Sequence, residues 1–231
     1  MWKKGLLLLV LGMPLAAKAA PIEVGDIPAC TALTPAAVSL DTTPVTLDVR
    51  VLLDGVSLKR GQDIMNRAAD SYSPLGITMV SSYETASFVG LDAAGIIEQA
   101  KVYYGGERPA GIDIVYVLTD KEFGTLAGLA DCIGGVKYAD RAFGVGEASD
   151  VTPLNLLLYN LSAEKAAKTA AHEIGHLMGG HHHYANCVEN LLNIGGAPCS
   201  LMFNAVDFEA NGFSLLNGIV VRGHAQAYAT P

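Results

Sequence analysis

Eleven consecutive residues constrain the fold more than any other stretch: His172-Glu173-Ile174-Gly175-His176-Leu177-Met178-Gly179-Gly180-His181-His182. The run leading into them is rich in alanine (Ala163, Ala166, Ala167, Ala170 and Ala171), the strongest helix former. The pattern predicts a helix over residues 162–178, with Ser162 as N-cap and Glu164 at the positive end of its dipole. On such a helix His172 and His176 are four apart and share one face. Gly179-Gly180 ends the helix, because glycine takes the left-handed conformation that turns a chain sharply. His182 can then return toward the face that carries the other two histidines. Any fold of this chain must leave that helix face open and let the chain double back beside it.

The chemistry of the three histidines points to one ion. Neutral imidazole is a good ligand for zinc, which accepts tetrahedral sites. His172, His176 and His182 supply three protein ligands, the usual number at a catalytic zinc ion with an open fourth position. Glu173 neighbours the first histidine and can reach a water at that position, the role a general base needs. His181 and His183 flank the third ligand, but spacing selects His182. His224 reads as a structural histidine.

The rest of the chain supplies a scaffold of alternating elements. Residues 45–53 alternate apolar and polar and read as a strand; residues 57–72 follow as a helix stopped by Pro74 and Gly76. Ile77–Tyr83 reads as a strand, residues 91–104 as a helix, and Gly111–Leu118 as a buried central strand. Residues 123–150 are glycine-rich and irregular, with Phe143–Glu147 as an edge-strand candidate. Residues 183–213 read mainly as loop, and a last helix runs from Ser214 to Ala227. The order strand, helix, strand, helix, strand predicts an α/β layer, α+β in the broader sense, on a mostly parallel sheet.

The N-terminus reads as a targeting segment. Lys3 and Lys4 precede an apolar run from Gly5 to about Leu15, and Ala17-Lys18-Ala19 gives a small-x-small cleavage pattern. The expected division is residues 1–19 as signal peptide, 20–43 as an N-terminal arm and 44–231 as one catalytic domain. The mature chain would be exported, to the periplasm or beyond the cell, without a membrane anchor. Losing Lys3, Lys4 and Lys18 takes the formal charge from −8 to −11. So acidic a chain is a poor ligand for nucleic-acid phosphates. Four cysteines, Cys30, Cys132, Cys187 and Cys199, are even in number, as disulfides in an exported chain require. Of three pairings, Cys187–Cys199 closes a short loop and leaves Cys30–Cys132.

The full pattern H-E-x-x-H-x-x-G-x-x-H at positions 172, 173, 176, 179 and 182 resembles the metzincin clan of zinc endopeptidases. Cys199-Ser200-Leu201-Met202 extends the likeness, since metzincins place a methionine in a tight turn beneath the zinc site. The cysteine just before that methionine is similar to the adamalysin (reprolysin) branch, where it is disulfide-bonded, in agreement with Cys187–Cys199. Two positions depart from particular branches: His183 stands where adamalysins have aspartate, and Asn204 where astacins and serralysins have a tyrosine. The resemblance implies a twisted, mostly parallel sheet with an antiparallel edge strand, a long zinc-binding helix, a Met-turn and a C-terminal helix. It implies a hydrolase acting on protein or peptide substrates, with Met202 and Gly179 as structural support; the chain is expected to be a monomer. An edge strand ahead of the metal helix would pair with the substrate backbone, and Phe143–Glu147 is the candidate. Cys30 in the arm has a second reading, as a latency thiol covering the metal. A different class of function, a non-catalytic metal-binding or adhesion module, would leave Glu173 without a role.

Overall fold

The computed structural model describes residues 28–30, 38–41, 43–124, 126–148, 156–182, 199–203 and 212–229. Five strands form one sheet: β1 (Val45–Asp54), β2 (Ile77–Ala86), β3 (Ile114–Thr119), β4 (Gly128–Ala130) and β5 (Phe143–Glu147). Their order is β2-β1-β3-β5-β4. All pairs are parallel except β4 with β5. The expected mostly parallel sheet with an antiparallel edge is therefore present, but the edge is not Phe143–Glu147. That segment lies inside the sheet, between β3 and β4, and three of its residues are glycine or valine buried on both faces. The edge is the shorter Gly128–Ala130, which carries too few residues to show a period in the sequence.

Among the described residues four α-helices cover the two faces: α1 (Leu58–Asp70), α2 (Ala93–Tyr103), α3 (Leu156–Leu177) and α4 (Leu215–Tyr228). Strand alternation divides the core between them. Leu47, Val49, Val51 and Leu53, with Ile114, Tyr116 and Leu118, pack toward α1, α3 and α4. Leu52, Val115, Val117, Phe143 and Val145 pack toward α2. Each fully buried aliphatic side chain contributes roughly 1.5–3 kcal/mol to that separation from water.

Local signals set the helix starts. Ser57, Asp92 and Ser214 cap α1, α2 and α4, each accepting from the backbone N–H three residues on. The expected cap of α3 is different. The helix begins at Leu156, and Ser162 lies inside it, accepting from the buried Arg60 guanidinium on α1 at 2.7 Å. Glu164 pairs with Arg67 at 3.1 Å instead of serving a first turn. An apolar start, Leu156-Leu157-Leu158, carries the helix two turns further back than its alanine-rich part shows.

The Cys30–Cys132 disulfide is formed. Around it the arm makes a short parallel bridge: Cys30 N–H donates to Ile133 O and Ile133 N–H to Pro28 O, both at 2.9 Å. Cys30 is thus no free thiol, and the latency reading falls. Cys199 is also disulfide-bonded. Cys187 lies outside the described residues, as do residues 1–27, His183 and Asn204. No described helix is long and apolar enough to cross a membrane.

Candidate metal centre

α3 crosses the sheet with its alanine face inward: Ala163, Ala166, Ala167, Ala170 and Ala171 are all buried. Small side chains let the helix lie close to the strands, and Tyr72 fixes its height by donating to Ala171 O at 2.7 Å. His172 and His176 follow one residue and five residues later, buried, with the rings 4.6 Å apart between centroids. The helix then stops as expected. Gly179 has φ +86°, a conformation costly for any side chain, and its N–H and that of Gly180 close on His176 O and Gly175 O at 2.8 Å.

The reversal brings His182 to the same point. The Nε2 atoms of His172, His176 and His182 lie 3.0–3.1 Å from one another. Two of the rings have their other nitrogen committed. His172 Nδ1–H donates to Leu201 O at 2.7 Å and His176 Nδ1–H to Gly180 O at 2.8 Å. A carbonyl can only accept, so each Nδ1 carries the proton and each Nε2 presents a lone pair. Burial holds both rings neutral: it lowers the His172 pKa to about 4 and takes that of His176 well below its usual value. The cluster therefore points acceptors at one another across a gap suited to a small cation. Its spacing is close to the roughly 3.3 Å edge of a tetrahedron built on ~2.0–2.1 Å metal–nitrogen bonds. Outer partners that fix the tautomer, here two backbone carbonyls, are the usual companions of metal-binding histidines.

Met202 sits where the sequence places it, beneath the helix. It is buried, and a Cβ added to Gly175 would meet its sulfur at 2.7 Å. Its neighbour Leu201 supplies the carbonyl that orients His172, so the turn holds the cluster through backbone as well as packing.

Glu173, next to His172 in the same helix turn, packs against the edge strand. It is completely buried, and burial raises its pKa to about 8, offset in part by the Ala130 N–H on β4. Neither carboxylate oxygen makes a hydrogen bond of ordinary geometry among the described residues. Gly128 makes room for it: a Cβ there would lie 2.9 Å from Glu173 Cγ and 2.7 Å from Thr169 Cγ2. Sequence reasoning missed Gly128 and Ala130, because their value lies in what α3 places against them. It also passed over the Leu201 carbonyl, since a backbone atom leaves no mark in the sequence.

Comparisons with known proteins follow the same lines. No curated protein matches the chain. Among solved structures, the fold is similar to archaemetzincin from Methanopyrus kandleri: TM-score 0.53 and 14% identity, covering 82% of this chain and 99% of that one. A zinc-dependent peptidase from Methanocorpusculum labreanum gives TM-score 0.49 and 14% identity over 75% of this chain and 99% of that one. The family model for reprolysin-like metallopeptidases of family M12B matches residues 62–183. That match takes in more than half of the chain and the whole His172–His182 run, so the protein belongs to the reprolysin-like M12B family of zinc metallopeptidases, on a metzincin-like fold.

Proposed function

We propose that the chain is an exported endopeptidase in which His172, His176 and His182 hold one zinc ion and Glu173 is the general base. The single observation that carries this reading is the convergence of three Nε2 atoms within 3.1 Å, with Glu173, the next residue after His172, buried and its oxygens without a hydrogen bond of ordinary geometry among the described residues. Zinc at such a site supplies a Lewis acid that acidifies water and polarises a peptide carbonyl. The chain's own residues do the rest. His172 and His176 keep their tautomers through Leu201 O and Gly180 O, so their lone pairs stay aimed. Glu173 accepts the proton of the attacking water and returns it to the departing amine. Its burial matters here, because an elevated pKa makes the carboxyl a competent acid in the second step.

Substrate binding falls to the edge strand. Among the described residues β4 pairs with β5 alone, and its other edge can take an extended peptide by main-chain hydrogen bonds. Because Gly128 and Ala130 also border Glu173, a peptide docked there would lie along the base. The reading assigns this role to Gly128–Ala130 and withdraws it from Phe143–Glu147. The lysine start, apolar run and Ala17-Lys18-Ala19 support export, with residues 1–19 removed and the remainder working as a monomer in the periplasm or outside the cell. The alternative, a non-catalytic metal-binding module, is disfavoured by Glu173: burying a carboxyl whose oxygens make no hydrogen bond of ordinary geometry among the described residues is costly, and a purely structural ion would not need it.

The test is a peptide library digested by zinc-loaded protein beside Glu173→Ala, with new termini read by mass spectrometry. Internal cleavages made by the native protein and lost in the variant are expected. Equal cleavage by both would sink the mechanism.

A further inference from the structure

We infer that Asn217 is the positioning residue for the third histidine, His182, which it holds through the peptide of His181; the inference rests on the zinc reading above. Asn217 stands in the first turn of α4, three residues after the cap Ser214, and is fully buried. Asparagine is a poor choice for the interior of a helix and a worse one for a core, unless its amide is matched. Here it is matched twice by the same residue. Asn217 Oδ1 accepts from His181 N–H at 2.9 Å, and Asn217 Nδ2 donates to His181 O at 3.1 Å. One side-chain amide thus gives His181 both bonds that a paired strand would give, and the carbonyl it holds belongs to the peptide joining His181 to His182.

A second contact from the same helix acts at the other end of the segment. His224, seven residues after Asn217 and so on the same face of α4, lays its ring on Gly179: a Cβ at that glycine would lie 2.4 Å from His224 Cε1. His224 is buried and donates Nδ1–H to Val220 O at 3.0 Å. Residues 179–182 are therefore clamped at both ends by α4. The other two ligands are held within their helix: the rings of His172 and His176 are oriented by carbonyls. His182 follows the helix stop, and Asn217 holds the backbone that leads into it.

The experiment compares native protein, His182→Ala, Asn217→Ala and Asn217→Asp. Zinc dissociation constants are read by competition with a chromophoric chelator, and melting temperatures with and without zinc. Asn217→Ala is expected to weaken zinc by about 10–100-fold, the range for lost outer partners of metal ligands. It should also shrink the rise in melting temperature that zinc produces. Asn217→Asp keeps the acceptor for His181 N–H and loses the donor, so its zinc affinity should fall between the two. It serves as the deciding variant if Asn217→Ala does not fold. A merely structural asparagine would lower both melting temperatures equally and leave the affinity at the native value; that result overturns the inference. Should His182→Ala bind zinc as tightly as the native protein, the zinc reading itself fails and takes this inference with it. Weakening by His182→Ala without weakening by either Asn217 variant removes this inference alone.

Discussion

The two halves of the histidine cluster are built by different means. His172 and His176 are delivered by the period of one helix, whose alanine face is already committed to the sheet. His182 is delivered by a turn, Gly179-Gly180, and by what packs against that turn from α4. The first half needs only local geometry, since residues four apart share a face in any helix. The second needs contacts between residues far apart in the chain. A local ligand pair is robust and readable, whereas a turn-borne ligand is only as well placed as its supports.

The largest effect should come from the helix-borne half. Replacing Glu173 by alanine removes the proposed base but touches none of the three imidazoles. Peptide hydrolysis is expected to fall by about 10²–10⁴-fold, while zinc content, measured by atomic absorption, stays near one ion per chain. A rate within a few-fold of native would break the assignment of roles within the helix. Gly179→Ala attacks the other half. Its φ of +86° and the 2.4 Å approach of His224 leave no space for a methyl group. A loss of about 2–4 kcal/mol in unfolding free energy is expected, with zinc affinity falling in parallel. If stability drops in urea titrations but zinc affinity does not, the turn is not what places His182.

A middle-sized effect tests whether the arm belongs to either half. The Cys30–Cys132 bond joins residues 102 apart, immediately beside Gly134, whose N–H donates to His176 O at 2.9 Å. Changing both cysteines to serine should cost about 2–4 kcal/mol. Because His176 is held by its own helix, zinc affinity should change by less than about threefold. A larger loss would show that the helix-borne pair is less self-sufficient than its geometry implies.

The same contrast decides what was legible in the sequence. The helix, its two histidines, the glycine stop and the third histidine could all be read, because period and turn chemistry are local properties. The alternation of β1 and the β-branched run of β3 gave the sheet's centre for the same reason. The start of α3 was misplaced because Asn155, a cap-type residue directly before Leu156, was passed over in favour of a serine further on that serves Arg60. The edge strand was misassigned because three residues, Gly128-Leu129-Ala130, cannot display a strand period, which left Phe143–Glu147 as the strand candidate of that glycine-rich stretch. Gly128 matters through the Glu173 side chain it admits, and Asn217 through a peptide 36 residues away. Neither relation exists until the chain is folded.

The smallest effect, and the one that separates the halves by charge, is the pH dependence of the zinc-free protein. Burial depresses the His172 pKa to about 4 and takes that of His176 well below its usual value, so between pH 6.5 and about 4 the unfolded chain binds more protons than the folded one. Stability is therefore lost as pH falls below 6.5. Burial raises the Glu173 pKa to about 8, so above its unfolded value of 4.5 and up to 8 the folded chain binds more protons. That contribution is lost as pH rises. Among these three groups the two histidines outweigh the carboxyl below pH 6.5, and only Glu173 still contributes from 6.5 to 8. Zinc-free protein should thus be most stable near pH 6.5 and lose on the order of 1–2 kcal/mol by pH 8, measured by urea unfolding at each pH. Glu173→Gln, neutral throughout, should flatten the upper arm and leave the lower one. Zinc should remove the upper arm as well, because a nearby cation favours the carboxylate and so removes the disadvantage of ionising it. If the upper arm survives in Glu173→Gln, the group that titrates there is not the one set against Gly128, and the carboxyl's burial is not what tunes it.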